Sequence, residues 1–372
     1  MIFLENNIIL GFLLKLFLKT FYFFFKLLPS KNKVVLISRE QNTPPIDFLL
    51  LEEEIISRNK NIEIVMLCKT IDKSLKSFVF YCFYLLKCTY HLATARACVV
   101  DTYCIPVSVL KHKKSLKVIQ VWHALGALKK FGYQSLGKAE GRSRETAERM
   151  CMHKNYDLVC CASNATAKIY AEAFNVERSV IDIVGMPRID EILKPEPRLK
   201  DEFLKQYPEL SGKKIILYVP TFRKGERVNY KPLKCNLSDG YSLIVKPHIL
   251  SESEIERDCL SKGFSTNQLL KISDYIITDY SAVSFEASLL NKPLYFYVYD
   301  LDEYKHNRGL NIDLTDEMKN ATFFDAKKLL NNIESGSYDF DGLKHFRDKY
   351  VETADRENSK RIVNYILKYM SL

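Results

Sequence analysis

Short β-branched apolar runs alternate with helical stretches along nearly the whole chain, and this alternation limits the fold more than any other feature. Lys33–Glu40, Ile62–Lys69 and the runs at 97–103, 117–122, 157–163 and 179–185 predict strands. Helical patterns over 47–59, 75–96 and 164–174 separate them. Continuous apolar runs suit strands buried on both faces, and an intervening helix makes consecutive strands parallel. A charged, proline-containing stretch at 194–203 predicts a linker. A second series follows, with strands at 213–219, 241–246, 275–279 and 293–300 and helices near 267–272 and 282–291. The pattern over 341–370 is helical. The expectation is therefore two α/β domains in tandem, 31–195 and 196–345, and a closing helix over 346–372.

Residues 1–30 stand apart. They are rich in Phe, Leu and Ile, interrupted by Lys15, Lys19 and Lys26, which fall within about 40° of one another on a helical wheel. No uninterrupted apolar run reaches the roughly 20 residues of a bilayer span, and the small-residue cleavage site of a signal peptide is missing. The pattern predicts an amphipathic helix in the membrane interface, its lysines towards anionic headgroups. The alternative is a helix docked on the protein's own core. The 55 Lys and Arg against 45 Asp and Glu, a formal charge of +10, suit an anionic partner. Without a basic-aromatic stripe, nucleic acid is not the expected one. The ten cysteines form no CxxC pair and predict small core residues of a reduced protein rather than metal ligands.

Ligands of open parallel sheets bind at the carboxyl ends of the strands, and four segments place polar residues there. His123 follows KVIQVW, Thr221 and Arg223 follow LYVP, and Lys246 and His248 flank the proline after LIV. Asp279 and Ser281 follow YIIT, with Ser281 expected to cap the next helix. A capped helix start with Arg223, Lys246 and His248 around it describes a phosphate or diphosphate pocket in the second domain. His123 belongs to the first sheet, where an imidazole is able to take a hydroxyl proton near neutral pH. Taken singly, each has a plainer reading: a structural cap, a loop histidine, a surface ion pair.

The blocks VWHALGALKKFGY (121–133), MHKNYDLVCCAS (152–163), GMPRID (185–190), YVPTFR (218–223), IVKPH (244–248) and ISDYIITDYSAVSFEASLLNKPLYFYVYDLDEY (272–304) resemble, in order and spacing, the CDP-glycerol glycerophosphotransferase family of teichoic acid and capsule synthesis. The resemblance covers most of 30–310. It implies an α/β, glycosyltransferase-B-like fold, with two Rossmann-like domains facing a cleft and the donor nucleotide on the C-terminal one. It also implies bacterial proteins, peripheral on the cytoplasmic face of the cell membrane, that move polyol phosphate from a CDP-polyol to a lipid-linked or polymer acceptor. The family's motif histidines fall on His123 and His248, its PTFR arginine on Arg223 and its TDYS serine on Ser281. The matching blocks also bring in Gly126 and Arg188. Ala282 stands where many members have a second serine, and Glu286 where they have aspartate.

The implied reaction is attack of an acceptor hydroxyl on the β-phosphorus of CDP-glycerol or CDP-ribitol, expelling CMP. His123 is then the base or orienting group, and His248, Arg223 and the Ser281 backbone neutralise developing charge. Thr221, Lys246 and Asp279 assist, and Glu286 holds the ribose hydroxyls. The strand-end segments do not demand a metal; no cofactor is required, although a divalent cation is compatible with a diphosphate donor. The alternatives are a nucleotide-sugar glycosyltransferase of the same architecture and a membrane-surface scaffold without turnover.

Overall fold

Two all-parallel sheets organise the chain, as the run-and-helix alternation predicts. The computed structural model describes residues 8–70, 75–138, 141–223, 228–247, 255–256, 259 and 261–370. These fall into two compact units. One comprises Met1–His123, Phe131–Asp190 and Asp355–Leu372, the other Ala124–Lys130 and Glu191–Ala354.

The first unit opens with helix α1 (Ile8–Phe25). Then follow β1 (Lys33–Ser38), α2 (Ile46–Arg58), β2 (Glu63–Cys68), α3 (Leu75–Thr94), β3 (Ala97–Val100), β4 (Lys117–Gln120), β5 (Leu158–Cys160), α4 (Asn164–Phe174) and β6 (Ile181–Asp182). The sheet runs β2-β1-β3-β4-β5-β6, with Val34 opposite both Ile64 and Ala97. Every residue of β1 is buried, which is why it reads as an unbroken apolar run rather than an alternating one. Phe48, Leu51 and Ile55 of α2 cover the sheet together with Ile362, Val363 and Ile366 of the helix Asn358–Leu367.

The second unit contains α5 (Leu199–Gln206), β7 (Lys214–Val219), β8 (Tyr241–Val245), α6 (Thr266–Ile272), β9 (Tyr275–Thr278), α7 (Val283–Ser288), β10 (Leu294–Tyr297), α8 (Leu301–Asn307), β11 (Thr322–Phe323), α9 (Ala326–Glu334) and α10 (Phe340–Tyr350). Its order is β11-β10-β9-β7-β8, again parallel throughout. In each sheet the chain reverses its direction of growth once, between β1 and β3 and between β7 and β9. Ligand-binding crevices form at the carboxyl ends of such switch points.

Three expectations need correction. The stretch expected as linker carries α5 from Leu199. The closing helix over 346–372 is two helices, α10 and Asn358–Leu367, and the second packs in the first unit. Its start is fixed by Asp190, whose carboxylate accepts the backbone N–H groups of Asn358 (3.0 Å) and Ser359 (2.7 Å), donors that a helix cannot satisfy by itself. The third concerns α1. Gly11, Leu14, Leu18 and Tyr22 form a stripe buried against the protein. Lys15 Nζ donates to the Arg149 carbonyl at 2.6 Å and Lys26 Nζ to that of Lys111 at 3.0 Å, so these two lysines turn towards protein while Lys19 is exposed. A second, apolar face including Phe12, Leu16, Phe23 and Phe24 is left exposed. By length and composition α1 is also apolar enough to cross a membrane.

Candidate active site

The switch point of the second sheet is built around a buried carboxylate. β7 and β9 run side by side, with Val219 opposite Thr278, and Thr278 Oγ1 donates to the Val219 carbonyl at 2.8 Å. The next residue, Asp279, is fully buried. It accepts the backbone N–H of Thr221 (2.8 Å), that of Tyr280 (2.7 Å) and Arg223 Nη1 (2.9 Å). Arg223 also clasps Asp300, just past β10, through Nε (2.7 Å) and Nη2 (3.1 Å). Tyr280 donates to Asp300 at 3.0 Å and stacks on Tyr304 at 4.0 Å. The guanidinium lies 5.2–5.5 Å from the rings of Tyr280, Tyr299 and Tyr304. The blocks YVPTFR, TDYS and YVYDLDEY, far apart in sequence, thus close on one network.

Arg223 is expected to offer its guanidinium to phosphate. The structure instead commits it to two carboxylates, with 8% of its side chain exposed. Burial alone lowers its pKa, but Asp279 and Asp300 outweigh that and hold it above the ordinary arginine value. Its geometry is that of a clamp joining the ends of β7, β9 and β10.

The remaining second-unit residues are spread around this clamp. Thr221 Oγ1 is buried with no hydrogen-bond partner among the described residues. Ser281 is not the N-cap of α7; that position is Ala282, in helical conformation, and Ser281 Oγ accepts only a long 3.4 Å bond from the Val283 N–H. Glu286 is buried in α7 at 7% exposure rather than presented to solvent. Lys246 Nζ donates to the Phe264 carbonyl at 3.2 Å. Gly126 is a packing residue: a Cβ there would lie 2.4 Å from the Phe285 ring. His248 lies outside the described residues. Among the described residues no group of three or more His, Cys, Asp or Glu is placed to hold a metal.

In the first unit the chain leaves β4 through a sharp turn. Trp122 adopts φ +52°, an unusual conformation for a bulky side chain. Its N–H is held by Gln120 Oε1 at 2.8 Å. Gln120 Nε2 donates to Tyr156 Oη (3.0 Å), which is 2.9 Å from His153 Nδ1. Phe131, His153 and Phe174 enclose the indole. Burial, with Arg142, Arg39 and His123 nearby, depresses the His153 pKa to about 3, so this ring stays neutral.

The turn delivers His123 with 37% of its side chain exposed. Its Nδ1 is 3.1 Å from the Asp101 carbonyl and 3.9 Å from Glu40 Oε1. A carbonyl only accepts, so the neutral ring carries its proton on Nδ1 and presents Nε2 as a base. Desolvation lowers the His123 pKa, while Glu40 and the Asp101 carbonyl pull the other way. Arg188 approaches from behind: Nη1 donates to the His123 carbonyl at 2.7 Å, and the rest of the guanidinium grips buried Asp47. Arg188 therefore positions the turn rather than facing a ligand. Asp101 is buried at the end of β3, and burial pushes its carboxyl up to about 7, helped by Glu40 and Asp47.

Sequence reasoning did not single out Asp300, Tyr280, Glu40, Asp101 or Gln120. Asp300 had a signal: it follows β10 as Asp279 follows β9. The others sit beside the chosen residues and only pairing across strands identifies them.

The family described as CDP-glycerol:poly(glycerophosphate) glycerophosphotransferase matches residues 20–368. The teichoic acid ribitol-phosphate primase of Bacillus spizizenii (strain ATCC 23059 / NRRL B-14472 / W23) is 32% identical over 364 residues, 93% of each chain. The teichoic acid glycerol-phosphate primase of Bacillus subtilis (strain 168) is 29% identical, covering 95% of this chain and 97% of that protein. Among solved structures, the wall teichoic acid polymerase TagF superposes with a TM-score of 0.74 over 95% of this chain and 93% of that one. At 19% identity this is a likeness of fold.

Proposed function

Because the chain belongs to the CDP-glycerol:poly(glycerophosphate) glycerophosphotransferase family, we propose that it transfers polyol phosphate from a CDP-polyol to a teichoic acid acceptor and releases CMP. Relatives named as primases for both ribitol phosphate and glycerol phosphate support the reaction class and leave both CDP-ribitol and CDP-glycerol as donors. The acceptor is a lipid-linked or polymer-bound hydroxyl.

The reaction runs as follows. The acceptor oxygen bonds to the β-phosphorus, the bond from that phosphorus to the bridging oxygen breaks, and CMP leaves with the electron pair. His123 Nε2 takes the hydroxyl proton. The observation that carries this role is the Nδ1 contact with the Asp101 carbonyl, which fixes the tautomer. A lowered pKa keeps the ring unprotonated at neutral pH. The second unit binds the donor at the carboxyl ends of β7 and β9. There Lys246 supplies charge, Thr221 Oγ1 is a group that a phosphate oxygen would satisfy, and the Ser281 backbone meets the charge developing on the diphosphate. His248 takes the same role by its place in the sequence, two residues after Lys246. Glu286 shapes the donor pocket through α7, and Arg223 and Asp279 keep the strand ends in register. The enzyme works as a peripheral protein on the cytoplasmic face of the membrane, with the exposed face of α1 in contact with lipid.

The test is a panel of CDP-glycerol, CDP-ribitol, and UDP-, GDP- and CMP-sugars, scored for nucleotide release with a membrane acceptor extract. CMP release with a CDP-polyol, reduced at least about 100-fold in His123→Ala, is the expected result. Release from a nucleotide sugar alone would overturn the donor class, and an unchanged His123→Ala rate would overturn the base.

A further inference from the structure

At the end of the first sheet opposite His123 lies a cavity of about 490 Å³ that no step of the reaction uses. Its lining includes Lys111, His112, Lys113, Lys114, Lys117 and Asp157. Asp157 is paired with Lys117 at 2.9 Å. That leaves Lys111, Lys113 and Lys114 without a carboxylate partner among the described residues, in a hollow where like charges are held together. Burial and the neighbouring Lys26 pull the Lys113 ammonium below its ordinary pKa.

The hollow is tied to α1. His112 Nε2 donates to the Val107 carbonyl at 2.7 Å, so its Nδ1 accepts from Tyr22 Oη at 3.0 Å. Lys113 Nζ donates to the Leu28 carbonyl, and Lys26 Nζ to that of Lys111. The exposed face of α1 therefore sits at a fixed place beside the lysines. That face is large: Phe12, Leu16 and Phe23 are 63%, 52% and 65% exposed, Leu27 just past the helix end is 75% exposed, and Phe83 of the adjacent α3 is 65% exposed. An apolar area of this kind marks an interaction surface rather than scattered surface residues. An aqueous partner of purely anionic character explains the lysines but not the phenyl rings. An anionic bilayer explains both, with rings in the acyl boundary and cations at headgroup depth.

We infer that the Lys111–Lys117 hollow is a headgroup site for anionic phospholipid, seating a lipid phosphate while α1 enters the outer part of the same leaflet. This rests on the reading of α1 as a lipid-contacting helix and adds to it a specific, charge-selective site. The basic hollow makes attachment depend on lipid charge, because an apolar helix alone partitions without regard to headgroup.

The full chain is tested by flotation with vesicles of phosphatidylcholine alone and with 30 mol % phosphatidylglycerol. Lys111→Gln/Lys114→Gln changes two exposed side chains far from the strand ends that hold His123. It should weaken binding to the phosphatidylglycerol vesicles by about 30-fold, leave binding to phosphatidylcholine unchanged and leave CMP release with a soluble acceptor unchanged. Equal binding of variant and wild type to phosphatidylglycerol vesicles would overturn the site. So would displacement of wild type from them by millimolar glycerol phosphate, which would make the occupant a free phosphate. Wild type that floats with neither vesicle refutes both statements. Phe12→Ser/Leu16→Ser separates the two: it should weaken binding to both vesicle types. A loss here beside an unchanged lysine variant leaves the α1 reading and overturns the site, whereas wild-type binding by Phe12→Ser/Leu16→Ser overturns the α1 reading and the proposal that rests on it.

Discussion

Replacing Arg223 with methionine distinguishes a clamp from a phosphate-binding group. The side chain is 8% exposed and its partners Asp279 and Asp300 are 0% and 14% exposed. Methionine fills much of the same volume but leaves two carboxylates facing each other with no cation between them. Removing one partner of a buried ion pair costs about 3–5 kcal/mol. In a unit of this size that corresponds to a fall in melting temperature of about 6–20 °C. Arg223→Lys should recover only part of this, since one ammonium serves one carboxylate where the planar fork serves two. Asp300→Asn alone removes one charge, and Arg223→Met/Asp300→Asn should be less destabilised than the sum of the singles by about 0.5–3 kcal/mol. The assay is thermal unfolding of each variant alongside CMP release from the preferred CDP-polyol. If Arg223→Met melts like wild type and has lost only turnover, the guanidinium acts on the substrate and the clamp is wrong.

Two further perturbations address the turn and the close packing. Glu40 stabilises protonated His123, so Glu40→Gln should move the acid limb of the kcat/KM profile to lower pH; the base form, and with it the activity, is present above that limb and lost below it. A shift towards higher pH would contradict the assigned geometry. Gly126→Ala drives a methyl into the Phe285 ring and should cost about 1–3 kcal/mol in thermal unfolding. Gly126→Ala/Phe285→Leu should lose less than the two singles added together, and strict additivity would show that the ring and the glycine do not press on each other.

The strands were legible because a parallel strand covered on both faces has no polar side to interrupt its run; β1 is buried along its whole length. The strand-end positions of His123, Arg223 and Asp279 were legible for the same reason, since the last apolar residue marks where the sheet stops. What could not be read was the pairing. Arg223 looks like a cation available to a phosphate until Asp300, 77 residues later, is brought against it. Arg188 looks like a ligand residue until Asp47, 141 residues earlier, captures it. The break between α10 and the last helix depends on Asp190, 168 residues before Asn358, and no local pattern carries that information. The lysines of α1 were misjudged because a helical wheel locates charge on a helix but not the carbonyls of other segments that receive it.

The capping of Asn358–Leu367 by Asp190 has a consequence for the order of events on the ribosome. Ile362, Val363 and Ile366 complete the core over the first sheet, yet they are synthesised after the whole of the second unit. The unit begun first is therefore finished last. Glu191–Ala354 can fold as a unit while it emerges, whereas the sheet holding His123 waits with one flank open until the final helix arrives. Chains stalled before residue 358 should carry a folded second unit and an incomplete first one, with apolar surface exposed to chaperones and proteases. The imidazole proposed as the base is in this way set in its final frame only when synthesis is nearly complete.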